Sequence, residues 1–166
     1  LVAIEGGSAS GKTTLGELLQ MFTAALSSTW TTFPPARAAH GARFTQPGGN
    51  VDRERFLEEV LILCAGKTRD YRRFDCATFT IAPPQRIKAG TLNIVEGAYS
   101  MHPDLAPYSI YPFFSDFGRK QRERILKRNA PAHAKQFFDR WIPFEQRYFD
   151  ALDVRNRCDL ILSADD

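Results

Sequence analysis

No apolar run in this sequence reaches the roughly 18 residues of a membrane-spanning helix, and no charged-then-apolar leader opens it, so the reading is of a protein that does not enter a membrane. Cysteine is scarce. Cys64, Cys76 and Cys158 are odd in number, widely spaced and without a CxxC pair, which argues against a disulfide scaffold, a zinc site or a redox couple and suits a reducing, cytoplasmic setting. Internal repeats and low-complexity tracts are lacking. So is strong charge of either sign: a net charge of +3 suits an anionic small molecule and falls short of the basic surface that nucleic acid demands. Acid is locally missing as well, since neither Asp nor Glu occurs between Glu17 and Asp52.

What remains is ordinary globular composition, 43% hydrophobic and 25% charged over 166 residues, which fits one domain over residues 1–166. The chain begins at Leu1 inside an apolar run and stops at Asp166 just after another, so the reading allows for natural termini beyond both ends.

Leu1-Val2-Ala3-Ile4 has the pattern of a buried strand and runs into Gly6-Gly7. From Thr13 the apolar positions Leu15, Leu18, Leu19, Phe22 and Leu26 recur at helical spacing. Residues 27–50, rich in Pro, Gly, Ala and Thr, read as mainly irregular. A helix is expected over about 52–65 with Gly66 as its cap, then strands at 78–81, 91–95 and 110–114, helices over 119–127 and 132–152, and a last strand at Leu160-Ile161-Leu162. Strands alternating with helices imply an α/β architecture, a mainly parallel sheet with helices on both faces in three layers.

Gly6-Gly7-Ser8-Ala9-Ser10-Gly11-Lys12-Thr13 satisfies GxxxxGK[ST], the P-loop pattern, between a strand and a helix as that pattern requires. Glycines let the backbone curl so that N–H groups converge on phosphate oxygens at the positive end of the following helix. Lys12 is placed for β and γ oxygens, Thr13 for a Mg²⁺ ion bridging the same phosphates, and Thr14 completes the loop. The motif predicts ATP or a close relative with Mg²⁺. It does not by itself separate kinase from GTPase or ATPase. No NKxD segment for guanine occurs, and the strand Leu92 to Val95 ends in Glu96 rather than Asp, which points toward small kinases.

Beyond the loop, PGGNVDRERF at 47–56, YRRFDC at 71–76, IVEGAYSMHPDLAPY at 94–108 and RWIPFEQRYFDA at 140–151 resemble the uridine kinase and phosphoribulokinase group of P-loop kinases, above all bacterial uridine kinase-like proteins. The resemblance covers nearly the whole chain. It implies that Asp52 holds hydroxyls of a ribose-like acceptor with Tyr71 beside the acceptor's ring, and that Glu96 sits near Mg²⁺ and the phosphates. It implies further that Arg124 and Arg128 lie on the helix leading into a lid, where guanidinium groups offset charge on the transferring phosphoryl group. Each role has a plain structural competitor: a helix N-cap for Asp52, packing for Tyr71, and a solvated pair on one helical face for Arg124 and Arg128. Glu96 stands at the carboxyl end of a strand, where α/β sheets bind ligands. His40 and His102 read as structural, and Trp141 with its aromatic neighbours as core.

The sequence departs from the family in three places. The family carries an acid at the end of the second strand, where this chain reads Trp30-Thr31-Thr32-Phe33; after Arg128-Asn129 it continues Ala130-Pro131-Ala132-His133 in place of further arginines; and Cys76 stands near a histidine of the pyrimidine-recognising members. The expectation is an ATP- and Mg²⁺-dependent phosphotransferase acting on a hydroxyl of a nucleoside or related metabolite, with a nucleotide-binding protein that has lost catalysis as the alternative. Its partner is a small-molecule acceptor, and a homo-oligomer is compatible with the reading.

Overall fold

The structure is a computed structural model and describes residues 1–23, 26–29, 41–64, 67–72, 74–75, 80–88, 90, 92–105, 112–114 and 119–163. Strand β1 (Val2–Gly6) is followed by helix α1 (Lys12–Thr23), strand β2 (Leu26–Thr29), a 3₁₀ turn at Gly41–Thr45 and helix α2 (Arg53–Cys64). Four short strands come next, β3 (Thr68–Tyr71), β4 (Phe74–Asp75), β5 (Thr80–Ile81) and β6 (Gln85–Lys88). Then come β7 (Asn93–Glu96), a 3₁₀ turn at Pro103–Leu105, β8 (Pro112–Phe114), α3 (Arg119–Arg128), α4 (Pro131–Gln136), a π segment at Phe137–Trp141, α5 (Ile142–Ala151), a 3₁₀ turn at Arg155–Arg157 and β9 (Leu160–Leu162).

Five strands form one sheet in the order β2-β7-β1-β8-β9, and all four pairings are parallel, with Ile4 opposite Glu96 and Thr29 also opposite Glu96. The chain leaves β1 toward one edge, returns to fill the slot beside it with β7, then crosses to the other side for β8. That reversal lies at β1, and ligands of open α/β sheets bind at the carboxyl ends of strands at such a point.

Alternation along β1 splits the core. Ala3 joins Val95, Phe56, Tyr71, Met101, Tyr148 and Phe149 in one buried cluster, while Val2 and Ile4 join Ile94, against which Leu15 and Leu19 of α1 pack. All of β1 is buried, as expected for a strand in the middle of a parallel sheet.

Several expectations change. Residues 27–50 are not irregular throughout, because Leu26–Thr29 is a sheet strand beside β7; its Leu-Ser-Ser-Thr sequence is too polar to announce one. The same strand takes Leu26 out of the helical stripe, and Leu18 and Phe22 of that stripe are exposed. Of the strand expected at 78–81, the described residues are the exposed pair Thr80-Ile81, which joins β4 in an antiparallel ribbon apart from the main sheet; Thr78 and Phe79 lie outside the described residues, as does the cap expected at Gly66. Gln85–Lys88, read as no element, pairs antiparallel with β3. The helix expected over 132–152 is a π-bulged one, with the Ile142 N–H bonded to the Phe137 carbonyl. Pro143 is the cause: it has no N–H to offer the Asp139 carbonyl and its ring crowds the preceding turn, which a wider turn relieves.

Candidate phosphate-binding site

The loop between β1 and α1 is held open by backbone that turns the wrong way for most side chains. Gly11 has φ +97° and Ala9 has φ +61°, the left-handed region that glycine enters freely and alanine at a cost of order 1 kcal/mol. The Ser10 N–H donates to the Gly7 carbonyl at 3.2 Å and the Leu15 N–H to the Gly11 carbonyl at 3.0 Å. No such backbone bond engages the N–H groups of Ala9, Gly11, Lys12, Thr13 or Thr14 among the described residues. These are the donors that a helix start leaves over, here gathered at the positive end of α1.

Lys12 is folded back across the loop. Its ammonium donates to the Gly6 carbonyl at 3.0 Å and the Gly7 carbonyl at 2.8 Å, which pins a positive charge against the loop while the side chain is 8% exposed. Thr13 Oγ1 donates to Glu96 Oε1 at 3.1 Å. Glu96, at the carboxyl end of β7, is completely buried. A hydroxyl and a carboxylate at this spacing are the hard oxygen donors that suit Mg²⁺, which keeps most of its shell for phosphate and water. Among the described residues no group of three or more His, Cys, Asp or Glu side chains could hold a metal unaided.

Ser8 is gripped from two helices. Its N–H donates to Glu145 Oε2 at 2.9 Å and its hydroxyl donates to Glu145 Oε1, while Gln121 of α3 donates through Nε2 to the Ser8 carbonyl at 2.8 Å. Arg124, one turn on, donates to the Ala9 carbonyl at 3.0 Å, which brings its guanidinium against the loop. Arg128 lies 5.6 Å over the Phe137 ring, an arrangement in which a cation is held by the ring face.

Beneath the loop, Glu5 is fully buried and receives four donors: the Gly6, Tyr99 and Met101 N–H groups and the Tyr148 hydroxyl, at 2.9–3.0 Å. Burial pushes its carboxyl up to about 7, against the lowering effect of the Met101 and Gly6 N–H groups, Lys12 and the Tyr148 hydroxyl. Glu5 thereby ties β1, the turn after β7 and α5 together.

The residues expected on the acceptor side have structural partners. Asp52 Oδ1 accepts from the Arg55 N–H at 3.1 Å and its carbonyl from Phe56 at 3.2 Å, so it caps α2. Tyr71 is 7% exposed within the larger core cluster, so it packs. His102, read as structural, stacks on Tyr148 and contacts Arg53 at 3.0 Å, and burial with Arg53 lowers its pKa. Trp141 and Phe144 are half-buried under Arg140 rather than core. Thr31, Thr32, Cys76 and His40 lie outside the described residues.

Sequence reading passed over Glu5, Gln121 and Glu145. A signal exists for Glu145, an acid three and four positions before Tyr148 and Phe149 and so on their buried stripe.

No protein-family model matches the chain, and no curated protein does. Solved structures do. One, described as a possible uridine kinase from Bacillus stearothermophilus, superposes with a TM-score of 0.70 at 16% identity, over 97% of this chain and 86% of that one. Another, described as a possible fructose transport system kinase from Silicibacter sp. TM1040, gives 0.71 at 17% identity, over 97% and 88%. The chain has a P-loop kinase fold. At such identities the likeness carries the fold, and roles for individual residues rest on the geometry above.

Proposed function

We propose that this chain is an ATP-dependent phosphotransferase, a three-layer P-loop domain that moves the γ-phosphate to a hydroxyl of a small acceptor, a uridine-like nucleoside or a related metabolite. The observation that carries the reading is Lys12, whose ammonium is buried over the loop by the Gly6 and Gly7 carbonyls, beside N–H groups that no backbone carbonyl among the described residues engages. Gly6 to Thr14 would hold the phosphates. Thr13 and Glu96 would hold Mg²⁺, which when bound offsets charge on the β and γ oxygens. Arg124 would add a cation at the rim, with Arg128 behind it. Asp52, capping α2 through one oxygen, and Tyr71 would serve the acceptor side. The neighbours described as a possible uridine kinase and a possible fructose transport system kinase support a small hydroxyl-bearing acceptor. No helix among the described residues is long and apolar enough to cross a membrane, and we place the protein in the cytoplasm.

Incubation with ATP, Mg²⁺ and a pool of nucleosides and sugars, read by mass spectrometry with Lys12→Ala as control, tests this. A phosphorylated product made by the unaltered protein alone supports the proposal. Nucleotide binding without product across the pool favours a second reading, a binder without turnover, which the missing acid between Glu17 and Asp52 recommends.

A further inference from the structure

Helix α5 carries an acid where its pattern calls for an apolar side chain. Glu145 shares a face with Tyr148 and Phe149 and is 3% exposed, and a buried carboxylate is tolerated only when paired or hydrogen-bonded. Its partners are on the phosphate loop, where Ser8 supplies both an N–H and a hydroxyl. The charged and titratable groups that face it are Lys12 on α1, Arg128 on α3 and Tyr99 in the turn after β7. Burial raises its pKa, and Lys12, Ser8 and Arg128 pull in the other direction.

A carboxyl group whose two oxygens both accept from Ser8 thus sits at the loop that is built to receive an external anion, and both draw on Lys12. A polyphosphate arriving there sets like charge beside the carboxylate and diverts its main counter-charge, and each change favours the neutral acid. The neutral acid need not let go of Ser8: its carbonyl oxygen accepts the N–H, and its own hydroxyl donates to Ser8 Oγ in place of the present bond.

We propose that Glu145 is a positioning residue of the nucleotide site, which fixes the lip of the phosphate loop through Ser8 and takes up one proton as a polyphosphate binds. This rests on the nucleotide-binding reading above. Glu145→Gln imitates the neutral acid, with a carbonyl for the N–H and an amide donor for Oγ.

The test is calorimetric titration of ADP into the unaltered protein and Glu145→Gln from pH 6.5 to 9, in two buffers of different ionisation heat. The unaltered protein is expected to take up a proton and to lose affinity with rising pH, by up to about tenfold per unit. Glu145→Gln is expected to show a shallower slope and tighter binding above neutrality; ADP's own titration is common to both. Equal slopes and equal uptake overturn the role of Glu145 and leave the nucleotide site standing. Binding by neither protein overturns the nucleotide reading and this inference together. Should Glu145→Gln fail to fold, the unaltered protein decides between pH 8 and 9, where a binding heat independent of buffer overturns the proposal.

Discussion

The Tyr148 hydroxyl donates to Glu5 Oε2 at 3.0 Å, and both side chains are completely buried although 143 residues separate them. The bond anchors α5 to the end of β1, directly under the phosphate loop. Tyr148→Phe removes the donor and leaves a buried carboxylate one bond short, which costs about 1–3 kcal/mol. Urea unfolding should show this as a lower midpoint with an unchanged slope. An unchanged midpoint would mean that Glu5 is satisfied without Tyr148.

Glu5 also gives stability a pH dependence whose sign can be worked out. Its folded pKa, about 7, lies above the ordinary 4.5, so the folded protein holds the proton more tightly than the unfolded chain. The contribution is fully present below about pH 4.5, declines as pH rises to about 7 and is flat beyond, a change of about 3 kcal/mol. Glu145, also raised, adds in the same direction, so the measurement is the difference between the unaltered protein and Glu5→Gln. The unaltered protein should lose more stability between pH 5 and 8; parallel profiles would contradict the assignment.

The Pro47-Gly48-Gly49-Asn50 turn tolerates no side chain at its centre. A Cβ on Gly49 would lie 1.8 Å from the Arg43 carbonyl oxygen, and one on Gly48, at φ +67°, would lie 2.8 Å from the His102 ring. The contact at Gly49 is with backbone and cannot swing aside. Gly49→Ala is expected to lower the melting temperature by several degrees, corresponding to at least about 2 kcal/mol, and an unshifted melting curve would count against this packing.

Much of the frame was legible in the sequence because it rests on local pattern. Leu1 to Ile4, the glycines and Lys12 announce strand, loop and helix by themselves, and Glu96 is marked by ending an apolar strand. The rest depends on partners distant in the chain. Nothing in Leu26-Ser27-Ser28-Thr29 shows that β7 awaits it, because a parallel neighbour supplies hydrogen bonds that polar residues can use as well as apolar ones. Asp52 carried two readings; the cap is visible, and the acceptor role stays a proposal. Gln121 and Glu145 matter only because folding brings α3 and α5 to Ser8.

Asp52 offers a way to part cap from acceptor contact. Asparagine caps a helix about as well as aspartate, so Asp52→Asn should leave stability within about 0.5 kcal/mol. If the carboxylate also holds acceptor hydroxyls, the variant raises the acceptor KM about tenfold with ATP affinity unchanged. Unaltered steady-state constants for both substrates would confine Asp52 to capping.

Everything proposed for this chain begins with nucleotide held at Gly6 to Thr14 through Lys12. Titration of ATP with Mg²⁺ into the unaltered protein and Lys12→Ala, with melting curves for both, is therefore the most direct measurement. Saturable binding that weakens at least about a hundredfold in Lys12→Ala, a loss of about 2.7 kcal/mol, with folding retained, is the predicted result. Equal affinity in the two folded proteins, or no binding by either, would contradict it.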